Sequence, residues 1–207
     1  MTRERGPGPD RRAVARAFGR VAARYDAGDF LHREIRTRLI ERLEAVALQP
    51  ATVVDLGAGP PQATADLARR YPEATLLALD LAPAMLGAAP TPWHRACADA
   101  ARLPLPDASV DLAVAALLLP WCEDPRQVLA EARRVLRFPG LFAFATLGPG
   151  TLRELRAAWP QPDPHGHALH FPDMHDLGDA LVRAGFADPV VDAEILTVTY
   201  RDLPRLV

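Results

Sequence analysis

A Gly-x-Gly turn and two carboxylates are the residues best placed to bind a ligand. Thr52–Leu56 is predicted to be a buried strand that contains Asp55 and runs directly into Gly57-Ala58-Gly59. Glycine permits a positive φ and close approach of a ligand to the backbone. A strand, such a turn and a helix form the first unit of many nucleotide-binding α/β folds. We expect the strand end and the helix start to present free N–H groups to the ligand.

The residues after the turn decide between ligands. A dinucleotide fingerprint requires a third glycine, but Gln62 occupies that position after Pro60 and Pro61. The next predicted strand, 74–79, ends in Asp80, whose carboxylate can accept hydrogen bonds from both ribose hydroxyls. Asp55, the two glycines and Asp80 together indicate S-adenosylmethionine. The alternative for Asp55 alone is a turn residue at a strand end.

Further candidates for the cofactor site follow the later strands. Asp99 ends a short predicted third strand, where its carboxylate could accept a hydrogen bond from the adenine amino group. Met85 belongs to a segment predicted to form the apolar side of the pocket. The complete predicted cofactor site is Asp55, Gly57, Ala58, Gly59, Asp80, Leu81, Met85, Asp99, Ala100 and Leu117.

Alternating strand and helix patterns predict one α/β domain over residues 11–207, with a mostly parallel sheet and helices on both faces. Residues 1–10 are predicted to be disordered. The predicted strands are 52–56, 74–79, 97–98, 112–119, 140–147 and 189–200. The predicted helices are 11–25, 31–47, 61–70, one from Pro83, 125–137, one capped by Thr151, and 176–184.

Composition excludes several classes of protein. The net charge of -2 over 207 residues argues against a general nucleic-acid binder. The apolar run 112–119 is too short to cross a membrane, and the N-terminus lacks the apolar core of a signal peptide. Cys97 and Cys122 form no disulfide framework, so we expect a reducing cytoplasm. All 24 basic residues are arginine, whose forked guanidinium suits carboxylates and phosphates.

Longer stretches carry a resemblance to a known family. They are RAFGRVAARYD, VVDLGAG, LLALDLAPAML, ADAARLPLPDASVDLAVA, WCEDP, EARRVLR, TLGPGTLRELRAAW, FPDMHDLGDALVRAGFADPVVD and TVTYRDLP. From about Val14 to Leu203 the chain resembles the biotin-synthesis methyltransferases, the malonyl-[acyl-carrier protein] O-methyltransferases. The first half is common to class I S-adenosylmethionine-dependent methyltransferases, with a Rossmann-like domain, and residues 148–192 are more specific.

The resemblance implies methyl transfer from S-adenosylmethionine to the free carboxylate of a malonyl group on acyl carrier protein, in the pimelate branch of biotin synthesis. We also expect a monomeric cytoplasmic enzyme, with helices 11–47 capping the cofactor site. A carboxylate is already ionised at pH 7, so the site needs to position it and requires no general base. The candidates for positioning the substrate are Tyr25, Trp121, His167 and Arg153. The alternatives are a core aromatic for Trp121 and a solvated helix face for Arg153.

The arginines from Arg33 to Arg42 are either a solvated helix face or a dock for the acidic carrier. No metal site is predicted, since the histidines of PHGHALHFPDMH lie in a loop near the substrate entrance and methyl transfer needs no metal.

Several features depart from the family pattern. Pro61 stands where relatives usually have glycine, and Pro120 where they have Gln or His. His32 replaces a common Gln, and His170 an expected Arg. The sequence stops at Val207, where relatives continue through a helix and a last strand, so we expect an exposed edge at 189–200. Two alternatives therefore stay open: a methyltransferase for a small carboxylic acid, and a non-catalytic methyltransferase-like binding protein.

Overall fold

A parallel β-sheet forms the centre of the molecule. The computed structural model describes residues 8–88, 90–158 and 171–201. Its strands are β1 (Thr52–Leu56), β2 (Thr75–Asp80), β3 (His94–Cys97), β4 (Val110–Ala116) and β5 (Leu136–Ala145). They pair entirely in parallel in the order β3-β2-β1-β4-β5. The described helices are α1 (Arg11–Val21), α2 (Phe30–Arg42), α3 (Pro61–Arg70), α4 (Pro125–Val135), α5 (Arg153–Ala158) and α6 (Met174–Arg183).

The two faces of the sheet bury separate apolar clusters, because successive strand residues point to opposite faces. On one face Val53 of β1 packs with Leu39 of α2 and Leu67 of α3. On the other face Val54 packs with Val135 at the end of α4. Strands buried on both sides are typical of parallel sheets, and the predicted α/β fold with helices on both faces is confirmed.

Most predicted elements exist, with shifted ends. The helix predicted at 11–25 divides into α1 and a 3-10 helix, Ala22–Ala27, and α2 is followed by a shorter 3-10 helix. Asp124 caps α4 by accepting from the Arg126 N–H, and Gly185 ends the α6 region with a φ of 89°. The third strand is longer than predicted and ends at Cys97, two residues before Asp99.

Two predicted elements are absent, and a third ends earlier than predicted. No helix starts at Pro83, because the segment forms a turn that closes at Gly87 with a φ of 66°. The fourth strand ends at Ala116, since Leu117 turns the backbone away with a φ of 56°. A buried turn is as apolar as a buried strand, which explains the second error. Residues 189–200 have no regular secondary structure.

Segment 189–200 runs instead as an irregular strap beside α2. Val190 and Ile195 are 95% and 91% exposed, so its apolar residues do not line a core. Its acidic side chains pair with α2 arginines rather than joining a strand ladder. Of residues 1–10, only 8–10 are described, and the Gly8 N–H donates to the Glu123 carbonyl at 3.0 Å. No helix in the described part of the chain is long and apolar enough to cross a membrane.

Candidate functional site

A pocket of about 320 Å³, counted to its open mouth, lies at the carboxyl ends of β1 and β4. Such strand ends are the usual ligand site of open parallel sheets. The start of the chain forms the opposite wall, through the 3-10 helix after α1 and through α2. The lining residues are Tyr25, His32, Arg36, Asp55, Gly57, Ala58, Gly59, Pro60 and Ala116.

The Gly57-Ala58-Gly59 turn forms the floor of this pocket. Both glycines have positive φ, 66° and 64°. Their N–H groups are not free, contrary to the expectation from sequence. Gly57 and Ala58 both donate to the Leu79 carbonyl, at 2.8 and 3.0 Å, and Gly59 donates to the Asp80 carboxylate at 2.9 Å. The turn can therefore contact a ligand through its shape, but its N–H groups are not free to donate to that ligand.

Two prolines extend this donor-free surface. Pro60 and Pro61 lack N–H groups, so residues 57–61 provide no cradle for a pyrophosphate. Pro61 is the first residue of α3, where the missing N–H costs no helical hydrogen bond. A Cβ placed on Gly87 would lie 3.0 Å from the Pro61 ring, so this ring packs against the turn that replaces the predicted helix.

Asp55 lies beneath the turn and forms a hydrogen bond within the protein. Its carboxylate accepts a hydrogen bond from the Thr64 hydroxyl at 2.8 Å, which joins β1 to α3. Burial raises the pKa of Asp55 to about 6, against the lowering effect of Thr64 and of the nearby Arg36. Asp55 therefore supports the pocket at a cost in desolvation.

Asp80 ends β2 on the other side of the turn. One carboxylate oxygen accepts from Gly59 N–H, and the other accepts from Ala82 N–H at 2.8 Å. Burial raises its pKa, and the two backbone donors oppose this effect. Each carboxylate oxygen can accept more than one hydrogen bond. A fixed carboxylate with unused lone pairs is what a ribose diol requires.

Asp99 lies farther along the strand ends and is already engaged. Its carboxylate accepts from Ala101 N–H at 2.9 Å and pairs with Arg11 of α1 at 3.1 Å. The Arg11 pair ties the N-terminal helix across this end of the sheet. Cys122 lies near Asp99. Burial, and to a smaller extent this carboxylate, raises the pKa of its thiol to about 12, so the thiol stays protonated and only fills space.

Apolar residues complete the predicted cofactor site. Met85 is buried, and its Cε lies 3.7 Å from where a Cβ on Gly59 would stand. Leu117 is buried at the end of β4. Leu81 and Ala100 are half-buried beside Asp80 and Asp99. The structure thus gathers the predicted cofactor residues along the carboxyl ends of β1, β2, β3 and β4.

An aromatic wall joins two of the predicted substrate residues. Phe18 of α1 packs edge-on against Trp121 at 5.2 Å between ring centroids, and lies 6.2 Å from Tyr25. Tyr25 lies 5.6 Å from the His32 ring and lines the pocket. Trp121 is 38% exposed, so it is not a core aromatic, and it is not among the residues that line the pocket.

Of the other predicted substrate residues, Arg153 is not brought to this pocket. The Arg153 side chain is 77% exposed and pairs with neighbouring Glu154 at 2.9 Å, as a solvated helix face would. His167 lies outside the described residues, as do His165 and His170. No group of three or more potential metal ligands occurs within the described ranges.

Sequence reasoning missed a charged group on α2. Arg36, which we expected on the outer face, is 9% exposed and lines the pocket. Asp29, just before the first residue of α2, is a buried carboxylate near Arg36. Its Oδ1 has no hydrogen-bond partner in the described structure. The signal was present: Arg36 precedes Leu39 by three residues and Leu43 by seven, which places it on the buried helix face.

Comparison with known proteins gives relatives over nearly the whole chain. A family profile described as a methyltransferase domain matches residues 54–144. The malonyl-[acyl-carrier protein] O-methyltransferase of Halorhodospira halophila is 47% identical, over 92% of this chain and 67% of its own length. The protein of the same name from Methylovorus sp. is 44% identical, over 94% of this chain and 70% of its own length.

Solved structures share the fold at low sequence identity. The [4+2]-cyclase SpnF superimposes with a TM-score of 0.68 at 20% identity, over 86% of this chain and 74% of its own. A putative methyltransferase in complex with the Haloferax volcanii Trm112 activator gives a TM-score of 0.65 at 21% identity, over 81% and 75% of the two chains. A cyclase on this fold illustrates that fold alone does not determine the reaction.

Proposed function

Since the chain belongs to the malonyl-[acyl-carrier protein] O-methyltransferase family, we propose that it methylates the free carboxylate of a malonyl group carried by acyl carrier protein. The methyl donor is S-adenosylmethionine. The product ester would serve the pimelate branch of biotin synthesis, as in the family it resembles.

One observation carries the choice of substrate. The two relatives align over more than 90% of this chain, whereas the general methyltransferase profile matches only residues 54–144. The similarity therefore includes α1, α2 and residues beyond β5, the parts that distinguish methyltransferases with different substrates.

The pocket fits S-adenosylmethionine better than a dinucleotide. The positive-φ turn leaves room above Gly57 and Gly59, while its N–H groups are occupied and Pro60 and Pro61 have none. A pyrophosphate would find no backbone donors in this turn. Asp80 would hold the ribose hydroxyls, and Met85 and Leu117 would contact apolar parts of the nucleoside. When bound, S-adenosylmethionine supplies an electrophilic methyl group on a sulfonium.

The residues of the pocket wall suit a carboxylate nucleophile. Burial, followed by the Asp29 charge, raises the pKa of Tyr25 well above its ordinary value, so its hydroxyl stays a neutral donor. Burial lowers the pKa of His32, which is therefore neutral at pH 7. Neutral donors can orient a carboxylate without the tight ion pairing that would reduce its nucleophilicity. We assign Tyr25 to this positioning role, with Trp121 in the aromatic wall; His167 stays a prediction.

We propose that the carrier docks on α1 and not on the Arg33–Arg42 helix. Arg12, Arg16 and Arg20 are exposed, and no ion pair or hydrogen bond engages them within the described residues. At four-residue spacing they form one stripe, opposite the face that holds Phe18. An acidic carrier seated on this stripe would lie on the outer side of α1, and its acyl arm would reach the aromatic wall around the helix.

The α2 arginines are poorly suited to the same task. Arg38 and Arg42 pair with Glu194 and Asp192 of the strap, and Arg36 is buried. We further propose a monomer that acts in the cytoplasm without nucleic acid or membrane. Cys97 and Cys122 are both unpaired, which supports a reducing compartment.

A substrate comparison tests the proposal. The purified chain is given S-adenosylmethionine with either malonyl-carrier protein or a malonyl thioester of a small thiol, and the methyl ester is detected by mass spectrometry. We expect a much higher kcat/KM with the carrier. Equal values for both substrates would support the small-acid alternative. Methylation of neither, with S-adenosylhomocysteine bound, would exclude methylation of the malonyl carboxylate and support the binding-protein alternative.

A further inference from the structure

Arg36 is a buried cation whose hydrogen bonds are incomplete. Its Nη2 lies 4.0 Å from Asp29 Oδ2, and its Nε lies 3.6 Å from Asp66 Oδ2. Both distances exceed the 2.7–3.2 Å range of N–H···O hydrogen bonds. Nε is buried and has no hydrogen-bond partner among the described residues. The neighbouring carboxylates balance its charge without using its donors.

An unused buried donor is unfavourable. Taking a guanidinium N–H from water without a new acceptor costs free energy, and the cost is larger for a charged group. Such a group is usually completed by an ordered partner or a ligand. Because the planar fork of arginine matches a carboxylate with two parallel hydrogen bonds, a carboxylate is the ligand best suited to Arg36.

The position of Arg36 indicates which carboxylate. Asp80 ends β2 and would hold the ribose, and Asp99, two residues beyond β3, is the residue predicted from sequence to meet the adenine. Arg36 lines the pocket with Ala116, on the β4 side of the glycine turn. A cofactor lying across the strand ends would direct its amino-acid part toward β4. S-adenosylmethionine has a single carboxylate, which belongs to that part.

We propose that Arg36 binds the amino-acid carboxylate of S-adenosylmethionine, with His32 lining the same subsite. The proposal rests on the proposed use of this cofactor but not on the identity of the methyl acceptor. The malonyl carboxylate presents the same chemistry in the same pocket, so the test must separate the two sources.

Two nucleosides make the separation. S-adenosylhomocysteine carries the carboxylate, and 5′-methylthioadenosine lacks the amino-acid part. We expect Arg36→Met to weaken binding of S-adenosylhomocysteine by about 30-fold, the scale of a hydrogen bond to a charged group. Binding of 5′-methylthioadenosine should stay within about 2-fold. Both are measured by calorimetric titration, which needs no carrier and no turnover.

Two further variants control for folding and charge. Arg36→Lys keeps the cation but loses the fork, and should lie between the wild type and Arg36→Met for S-adenosylhomocysteine. Arg33→Met removes an exposed arginine from the same helix and should change neither affinity. If Arg36→Met does not fold, as a thermal melt would reveal, the Arg36→Lys comparison decides.

Each other result overturns the proposal. Equal weakening of both nucleosides would make Arg36 a support of pocket structure. Unchanged affinities with a raised KM for malonyl-carrier protein would assign Arg36 to the acceptor. A wild type that binds neither nucleoside would reject both the subsite and the cofactor assignment. A wild type that binds S-adenosylhomocysteine but methylates no malonyl group would reject the proposed function alone.

Discussion

The two N-terminal helices are both rich in arginine, yet they place it differently. On α1, Arg12, Arg16 and Arg20 face solvent and have no partner among the described residues. On α2, Arg36 lies inside the pocket wall, and Arg38 and Arg42 bind the strap at 189–200. One helix thus presents its charge outward, and the other uses it within the fold.

Register against the apolar stripe explains the difference. The α1 arginines lie opposite Val14 and Phe18, whereas Arg36 shares the face of Leu39. The exposed and the buried arginines should therefore respond to different solution conditions. Exposed charges are screened by salt, whereas burial raises the pKa of Asp55, the carboxylate that lines the pocket with Arg36, so the buried side should respond to pH. The following measurements test this division, beginning with the largest expected effect.

Replacing Asp55 tests the buried side, because this carboxylate lines the pocket with Arg36. Burial raises its folded-state pKa from 3.8 to about 6, so the folded chain binds this proton more tightly than the unfolded chain. Its contribution to stability is present below the ordinary pKa and is lost as pH rises to about 6. Asp55→Asn should remove this loss, which amounts to about 3 kcal/mol by linkage.

Urea unfolding of both proteins at pH 4 and pH 7 measures the effect. The free energy of unfolding of the variant should increase relative to that of the wild type as pH rises. A constant difference between the two proteins at both values would mean that Asp55 does not titrate in this range. The hydrogen bond from Thr64 can persist in the variant, since the amide oxygen also accepts.

Reversing charge on α1 tests the exposed side. Arg12→Glu/Arg16→Glu/Arg20→Glu should lower kcat/KM for malonyl-carrier protein by about 30-fold, because like charges would then meet at the interface. Affinity for S-adenosylhomocysteine should not change. Arg183→Glu, an exposed reversal on α6, is the control. An equal loss in the control would show that net charge, and not the stripe, matters.

Salt should distinguish the two helices in the wild type. Raising ionic strength from about 0.05 M to 0.5 M shortens the screening length severalfold, and we expect about a 10-fold fall in kcat/KM for the carrier. Nucleoside affinity, measured under the same conditions, should change by less than about 3-fold, since buried groups are screened less. A carrier reaction insensitive to salt would contradict docking on α1.

Removing the strap contacts should have the smallest effect. Arg38→Ala/Arg42→Ala loses partly exposed ion pairs with Glu194 and Asp192, which contribute about 1 kcal/mol in total. Hydrogen exchange should quicken in residues 189–200, and kcat/KM for the carrier should stay near that of the wild type. A fall in kcat/KM as large as that caused by the charge reversal on α1 would indicate that the carrier docks on α2 instead.

The sheet and the nucleoside side of the site were predictable from sequence. Buried strands and their glycine turn are local patterns, so β1, α3 and the carboxylate of Asp80 could be placed correctly. The hydrogen bonds of the turn could not be predicted, because the acceptor for the Gly57 N–H is the carbonyl of Leu79, on another strand. Segment 189–200 has strand-like residues, but a strand depends on a neighbour that local pattern does not contain.

The pocket wall formed by the N-terminal helices was harder to predict for the same reason. Arg36 was expected outside because a charged residue in an arginine-rich run is usually solvated, and its burial depends on how α2 packs on α3 and β4. Tyr25 was found through resemblance, but its contact with Phe18 and His32 arises from the fold of three separate elements. Tertiary packing, and not propensity, determined these positions.

The N-terminal helix has a consequence for the order of events in a catalytic cycle. The 3-10 helix that continues from α1 places Tyr25 in the pocket wall, and Arg11 of α1 binds Asp99 across the strand ends. A protein seated on the outer side of α1 would hold this cover closed. The reaction should therefore be sequential and ordered, with the methyl donor entering first and the demethylated nucleoside leaving last. Product-inhibition kinetics would then give S-adenosylhomocysteine as a competitive inhibitor against the methyl donor alone.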